Sequence, residues 1–191
     1  MISKKQLVGY AVDKFIQFGS KHITMDELAS LLGISKRSIY KHFTSKEDLV
    51  VESIHELIAK FTHDINPILE EETSVFQKMV KIYDKAFDYL IRFQPTFVVG
   101  LKKYYPKAYE VYNRFTEDFV FITLLNELKQ AQKEGLIRVE IDLHLFCLLY
   151  LHELDKRMVA IHSIIDKYSK EVLLEHMIIN SLRGIAVNAN F

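Results

Sequence analysis

Apolar residues recur along this chain every three or four positions, which is the spacing of one face of an α-helix. In the first such segment Leu7, Ala11 and Phe15 follow one another at intervals of four residues. Further segments with this period cover residues 45–66, 75–91, 106–134, 142–165 and 169–187. Residues 136–142 alternate as a strand would, but no second strand is available for pairing, so they are expected to be a loop. The pattern predicts an all-α protein.

Two short helices joined by a tight turn are predicted between residues 23 and 43. Thr24 is a good N-cap, and Glu27 three residues later completes a capping box. Gly33 can adopt the left-handed conformation that ends a helix, and Ser35 two residues later can cap the next one. This order of signals is typical of a helix-turn-helix.

The second of these helices is expected to expose hydrogen-bond donors around a buried Ile39. Residues 30–46 contain four Lys or Arg and no Asp or Glu, in a chain whose net charge is +0. Such a surface attracts phosphate, and donors at the start of a helix can reach base edges in the major groove. The candidate DNA contacts are Thr24, Ser35, Lys36, Arg37, Ser38, Tyr40, Lys41, His42 and Lys46.

The segment from Thr24 to Leu49, TMDELASLLGISKRSIYKHFTSKEDL, resembles the N-terminal DNA-binding domain of TetR-family transcriptional regulators. The resemblance is ungapped and covers roughly residues 5–52. Many members have Gly at the position of Arg37, which implies a different base preference here. The resemblance implies a helix-turn-helix domain over residues 1–48 and a larger helical ligand-binding and dimerisation domain over residues 49–191. It also implies that the fourth helix links the two.

The region between Tyr83 and Phe121 is unusually aromatic, with twelve Phe or Tyr in 39 residues. These rings either fill a helical core or line a cavity for an apolar or planar effector, and the sequence leaves both interpretations open. The candidate lining residues are Tyr83, Phe87, Phe97, Tyr104, Tyr109, Tyr112, Phe115 and Phe119, with His152 as a polar group.

The last two predicted helices are apolar on more than one face. We expect part of this surface to be buried between two copies of the chain, as a four-helix bundle. A homodimer with two-fold symmetry would place two recognition helices on a palindromic DNA operator.

Other classes of protein lack support in the sequence. Cys147 is the only cysteine, so no intramolecular disulfide can form, and a cytoplasmic location is the simplest expectation. No apolar run reaches the roughly 18 residues of a membrane helix, and no signal peptide is recognised. Metal-binding, nucleotide-binding and nucleophile-elbow motifs are missing, so neither a metal, a cofactor nor an enzymatic activity is predicted.

The sequence therefore predicts a DNA-binding transcriptional regulator, a repressor released by a small apolar or aromatic ligand. One alternative is a DNA-binding dimer controlled by a partner protein, or by no ligand. A second is a helical small-molecule-binding protein or enzyme with a vestigial helix-turn-helix. The intact caps and the acid-free basic segment argue against the second.

Overall fold

The computed structural model describes residues 2–94 and 97–188, without the side chains of residues 153–162. Its α-helices are α1 (Lys4–Phe18), α2 (Met25–Leu31), α3 (Lys36–Tyr40), α4 (Lys46–Leu69), α5 (Val75–Leu90), α6 (Phe97–Tyr104), α7 (Pro106–Asp118), α8 (Leu125–Lys133), α9 (Leu143–Ile164), α10 (Lys170–Leu174) and α11 (Asn180–Ile185). The described residues contain no strand beyond one isolated bridge between Ile137 and Ala186. The prediction of an all-α fold is confirmed. None of the helices in this part of the chain has the length and apolarity needed to cross a membrane.

The chain divides into two compact units. Residues 1–61 and 92–114 form the first unit, and residues 62–91 and 115–191 form the second. Helices α6 and α7 thus belong, apart from the end of α7, to the same unit as α1, α2 and α3. A functional division at residue 48 stays a prediction, because compactness alone does not define which residues act together.

The core of the first unit is built from α1, α4 and α6. Phe15 of α1, Ile54 of α4 and Phe97 of α6 are each at most 2% exposed, and all three line one small cavity. Deep burial of these apolar side chains stabilises the packing of α6 on α1 and α4. The chain segment after α5 is also attached to α1, since the Gln94 amide donates to the carbonyl of Ile16 over 3.0 Å.

The core of the second unit collects residues from most of its helices. Met79 and Ile82 of α5 are 1% exposed, and they belong to the same cluster as Leu128 of α8, Cys147 of α9 and Ile178 near the end of the chain. Val75, Leu124 and Leu182 also belong to this cluster, whereas Phe87, Leu173 and Leu174 form a second, smaller one.

Two predicted helices contain a π-helical turn. The segment predicted as one helix over residues 106–134 is interrupted by π1 (Phe119–Leu124), which separates α7 from α8. The last predicted helix is likewise interrupted by π2 (Glu175–Ile179), between α10 and α11. A π-turn inserts one extra residue into the helix and is frequent at functional sites. Periodicity did not indicate either turn, because both π-helical segments are apolar at most positions, so that a shift of the pattern by one residue does not stand out.

Because the residue before a proline is disfavoured in helical geometry, the sequence predicts that α4 ends or kinks at Asn66 and Pro67, but the helix continues for two residues beyond Pro67. Proline removes one backbone donor and therefore one helical hydrogen bond. Because Pro67 lies in the last turn, the helix loses little by keeping it.

Part of the apolar surface that the sequence offered for a dimer is buried within one protomer. Cys147, Leu173 and Leu182 are 3 to 4% exposed. Leu145 and Leu149, one turn apart on α9, are 49% and 60% exposed. The apolar surface left for a second copy is thus smaller than the sequence indicated, and on α9 it includes these two leucines.

The buried hydroxyl of Ser20, in the turn after α1, gives a test of the packing of the first unit. Its side chain is 1% exposed, and its hydroxyl has no hydrogen-bond partner among the described residues. Since an unpaired buried hydroxyl is destabilising, Ser20→Ala should raise the free energy of unfolding by about 1 kcal/mol, measured by urea denaturation. Ser53 is the matched control, because its buried hydroxyl donates to the carbonyl of Leu49 over 2.7 Å. Ser53→Ala should give no gain, and equal effects of the two substitutions would contradict the assignment.

Candidate DNA-binding interface

The start of α2 is held by a reciprocal pair of hydrogen bonds. The Thr24 hydroxyl accepts from the Glu27 amide at 3.1 Å, and the Glu27 carboxylate accepts from the Thr24 amide at 2.6 Å. The backbone amide of Thr24, followed by its hydroxyl, lowers the pKa of Glu27. The capping box predicted from the sequence is confirmed. Because the Thr24 oxygen accepts in this bond, its own hydrogen remains available to donate to a phosphate.

The start of α3 is held by Ser35. Its hydroxyl oxygen accepts from the Ser38 amide at 3.1 Å and lies 2.8 Å from the Ser38 hydroxyl oxygen. Gly33, at φ 62°, provides the left-handed residue between α2 and α3. Ile39 is fully buried, so it anchors the inner face of this five-residue helix.

The outer face of α3 exposes donors, as predicted. Arg37, Lys41 and His42 are exposed, and Tyr40 is 45% exposed. Lys36 is exposed too, but its ammonium group lies 2.7 Å from the Asp26 carboxylate on α2. This hydrogen bond raises the pKa of Lys36. Arg37 and Lys41 are therefore better placed than Lys36 to give their full charge to DNA.

Lys46, at the start of α4, is oriented by two neighbours. Its ammonium group donates to the Lys21 carbonyl at 3.4 Å and lies 5.4 Å from the centre of the Tyr105 ring. Partial burial lowers the pKa of Lys46, and the nearby Glu27 opposes this shift. The position of Lys46 thus depends on a residue far along the chain.

The junction of α6 and α7, Lys102–Lys107, is called here the α6–α7 corner. Its Tyr104 hydroxyl accepts from the Lys21 ammonium group at 3.0 Å. The adjacent Tyr105 hydroxyl donates to the Ser20 carbonyl at 3.3 Å. Two consecutive tyrosines of the corner thus hold the turn that precedes the helix-turn-helix.

Sequence reasoning did not place the α6–α7 corner beside the candidate DNA contacts. The contact between Lys21 and Tyr104 joins residues 83 positions apart, which no local pattern reveals. One signal was available in the charges. Residues 89–109 contain four Lys or Arg and no Asp or Glu, as do residues 30–46.

Charge is separated between the two units. The first unit contains fourteen Lys or Arg and eight Asp or Glu, a net charge of +6, so the second unit carries −6 within a chain of net charge +0. The first 50 residues alone carry +3. The unit that contains the helix-turn-helix therefore has the electrostatic character of a DNA-binding surface, and α6 and α7 contribute to it.

The candidate ligand-pocket residues are divided between the units. The first unit contains Phe97, Tyr104, Tyr109 and Tyr112, and the second contains Tyr83, Phe87, Phe115, Phe119 and His152. In the second unit the Phe115 and Phe119 rings stack with their centres 5.9 Å apart. Tyr83 meets Tyr150 edge to face at 5.4 Å. Whether these rings enclose a ligand stays a prediction.

Two features bear on other kinds of chemistry. Cys147 is 3% exposed, and burial raises the pKa of its thiol to about 11. A thiol of this kind is mostly protonated at neutral pH and is a poor nucleophile. Among the side chains that the structure describes, no three His, Cys, Asp or Glu lie together as potential metal ligands.

Known proteins share the helix-turn-helix and the fold. Residues 7–52 match the family model described as bacterial regulatory proteins, tetR family. An uncharacterised HTH-type transcriptional regulator, YvaF of Bacillus subtilis, is 28% identical over 126 residues, 64% of this chain and 66% of that protein. The HTH-type transcriptional repressor KstR2 of Mycolicibacterium smegmatis is 28% identical over 85 residues, 44% of this chain and 42% of that protein. Each match thus spans less than two thirds of the relative.

Solved structures extend the likeness to the whole chain. The transcriptional regulator FadR of Bacillus subtilis, solved with stearoyl-CoA, has a TM-score of 0.78 and is 18% identical. The superposition covers 96% of this chain and 100% of that one. The helix-turn-helix geometry, the basic first unit and the family match together lead to one conclusion: residues 7–52 form a DNA-binding domain of the TetR family of transcriptional regulators, in a chain that shares the fold of FadR.

Proposed function

We propose that the chain is a transcriptional repressor that binds a palindromic DNA operator as a homodimer, in the cytoplasm, and leaves it when a ligand with a long apolar chain binds the second unit. The observation that carries the DNA-binding part is the capped α3, which exposes Arg37, Tyr40 and Lys41 on a unit of net charge +6. The relative KstR2, named a repressor, supports the direction of regulation.

The exposed side chains divide into two roles on DNA. Arg37 lies in the first turn of α3, where a guanidinium group can donate two hydrogen bonds to a guanine. Lys41 and Lys46, at the end of α3 and the start of α4, suit backbone phosphates, as does the free hydrogen of Thr24. Only the first role distinguishes one DNA sequence from another.

In the proposed dimer, two copies of the chain associate through α9 and the final helical segment. This association would give the DNA-binding interface two-fold symmetry. Leu145 and Leu149 of α9 are about half exposed, and Val172 of α10 is 41% exposed. Burying such a surface in a second copy would stabilise a two-fold pair. Two recognition helices then bind two half-sites, and the contacts to DNA are doubled.

The proposed binding site of the ligand lies in the second unit. FadR of Bacillus subtilis was solved with stearoyl-CoA and shares this fold. In this chain Phe119 of π1 and Met177 of π2 pack against the same core cluster as Tyr83 of α5. Both π-turns thus reach one apolar interior, and such turns are frequent at functional sites. We place the acyl chain of a fatty acyl-CoA there.

The alternatives differ from this proposal in what they require. A dimer controlled by a partner protein needs no small molecule, and the aromatic residues of the second unit would then be core alone. An enzyme with a vestigial helix-turn-helix would not need to keep Thr24 and Ser35 in their capping hydrogen bonds. Those bonds are intact, and the relatives are named as regulators.

Substitutions on α3 should separate the two roles. On the DNA that the protein selects, Arg37→Ala should cost about 1 to 3 kcal/mol and relax preference at one base pair, because a base contact is lost. Lys41→Ala should weaken binding to all sequences and reduce the salt dependence. Fluorescence anisotropy on single-base variants measures both. Lys133, exposed at the end of α8 in the second unit, is the control, since Lys133→Ala removes the same charge elsewhere. Equal losses for Arg37→Ala on every sequence would make Arg37 a phosphate contact.

A fatty acyl-CoA should bind the second unit and release DNA. Stearoyl-CoA at a hundred times its dissociation constant should stabilise the protein by about 2.7 kcal/mol in thermal denaturation. It should also weaken operator affinity roughly 5- to 150-fold, the usual range of allosteric coupling. Coenzyme A without an acyl chain is the control, because it retains the nucleotide and lacks the apolar chain. No change in either measurement with stearoyl-CoA would overturn the ligand proposal and leave DNA binding standing.

A further inference from the structure

Two lysines approach one phenol at the α6–α7 corner. The Lys21 ammonium group donates to the Tyr104 hydroxyl at 3.0 Å and lies 4.5 Å from the centre of its ring. The Lys103 ammonium group lies 5.4 Å from the centre of the same ring. Both cations lower the pKa of the phenol, the hydrogen bond from Lys21 having the larger effect. We call Lys21, Lys103 and Tyr104 the corner cluster.

The corner cluster has an excess of positive charge. Within the part of the chain that the structure describes, no ion pair with a carboxylate is formed by Lys21 or Lys103. The nearby Glu47 carboxylate lies 3.8 Å from the Lys107 ammonium group instead. Because the Tyr104 oxygen accepts from Lys21, its hydroxyl hydrogen is free to donate elsewhere. The cluster therefore presents hydrogen-bond donors from three side chains and no carboxylate. Such a site favours the binding of an anion.

The position of the cluster identifies the anion. Lys46, a candidate phosphate contact, donates to the backbone carbonyl of Lys21 at 3.4 Å. The corner cluster is thus adjacent to the start of α4, on the same unit as α3. The DNA backbone carries phosphates at regular intervals. A strand with one phosphate at Lys46 therefore has further phosphates close to the residues around Lys46.

We propose that Lys21, Lys103 and Tyr104 bind a phosphate of the DNA backbone outside the base pairs read by α3. This inference rests on the proposed function, since it assumes that the protein binds DNA through α3. It assigns a DNA contact to α6, outside the helix-turn-helix. Tyr104, which is 39% exposed, holds the two ammonium groups together and donates to the same phosphate.

The salt dependence of DNA binding tests the proposal. Lys103→Gln should lower affinity for a long duplex that contains the selected site on the order of tenfold at 0.1 M salt. The slope of log K against log salt should shrink by about 0.9 per lost contact, hence by about 2 for a dimer. Lys133→Gln, the matched control in the second unit, should leave affinity and slope unchanged. Lys103→Arg should retain both, because it keeps the charge.

Duplex length and stability distinguish a phosphate contact from a structural role. On a duplex trimmed to the base pairs that the protein selects, Lys103→Gln and the unsubstituted protein should bind alike, because the flanking phosphate is gone. Melting temperature should not change with Lys103→Gln, since Lys103 is exposed. A lowered melting temperature with an unchanged salt slope would mean that Lys103 only supports the corner, and would overturn the proposal.

The remaining outcomes separate this proposal from the proposed function. If Lys41→Ala weakens DNA binding and Lys103→Gln behaves like Lys133→Gln on duplexes of every length, the corner cluster does not bind DNA and the proposed function stands. If Lys103→Gln instead weakens only the response to stearoyl-CoA, the cluster serves the ligand and the proposal is wrong. Failure of the unsubstituted protein to bind any DNA would overturn both.

Discussion

The presentation of the candidate DNA-binding side chains depends on side-chain capping of two very short helices. Helices α2 and α3 have seven and five residues, and isolated helices below about 12 residues are marginal in water. Thr24 and Ser35 supply acceptors for amides that would otherwise lack partners, and Ile39 anchors α3 from inside. Without these bonds the exposed donors of α3 would have no fixed geometry, and direct readout of bases requires one.

The separation of charge between the two units determines which unit is attracted to DNA. The first unit carries +6 and the second −6, so long-range attraction to DNA acts on the unit that contains α3 and the α6–α7 corner. The negative second unit is repelled by the same phosphates. Attraction of this kind brings the protein to DNA, whereas the proposed contacts of Arg37 and its neighbours on α3 would select the site.

Local signals were sufficient to predict the elements that carry the candidate DNA contacts. The cap residues Thr24 and Ser35, and Gly33 between their helices, determine their own turns through atoms a few residues away, so the sequence predicted them correctly. Ser169 was likewise expected near the start of a helix, and its hydroxyl accepts from the Val172 amide at 3.4 Å. The fold class could therefore be predicted from the period of the apolar residues, and the bounds of the short helices α2 and α3 from their capping residues.

Long-range features could not be predicted in this way. The bond from Lys21 to Tyr104 depends on how α6 packs against the first helices, and the two π-turns depend on packing in the second unit. The aromatic region looked like one cluster in the sequence, yet Phe97 fills the core of the first unit and Phe119 belongs to the second. A run of aromatic residues in the sequence shows only composition. Which of these rings lie in the same hydrophobic core depends on the fold.

The most direct test of the central claim is selection of DNA fragments from a random pool by the purified full chain, followed by sequencing. A dimeric repressor should enrich a palindrome whose half-sites lie about one helical turn apart, because two copies of α3 would bind successive major grooves. An enriched site without two-fold symmetry would contradict the dimer. Recovery of no enriched sequence would contradict sequence-specific DNA binding by α3, and with it the central claim.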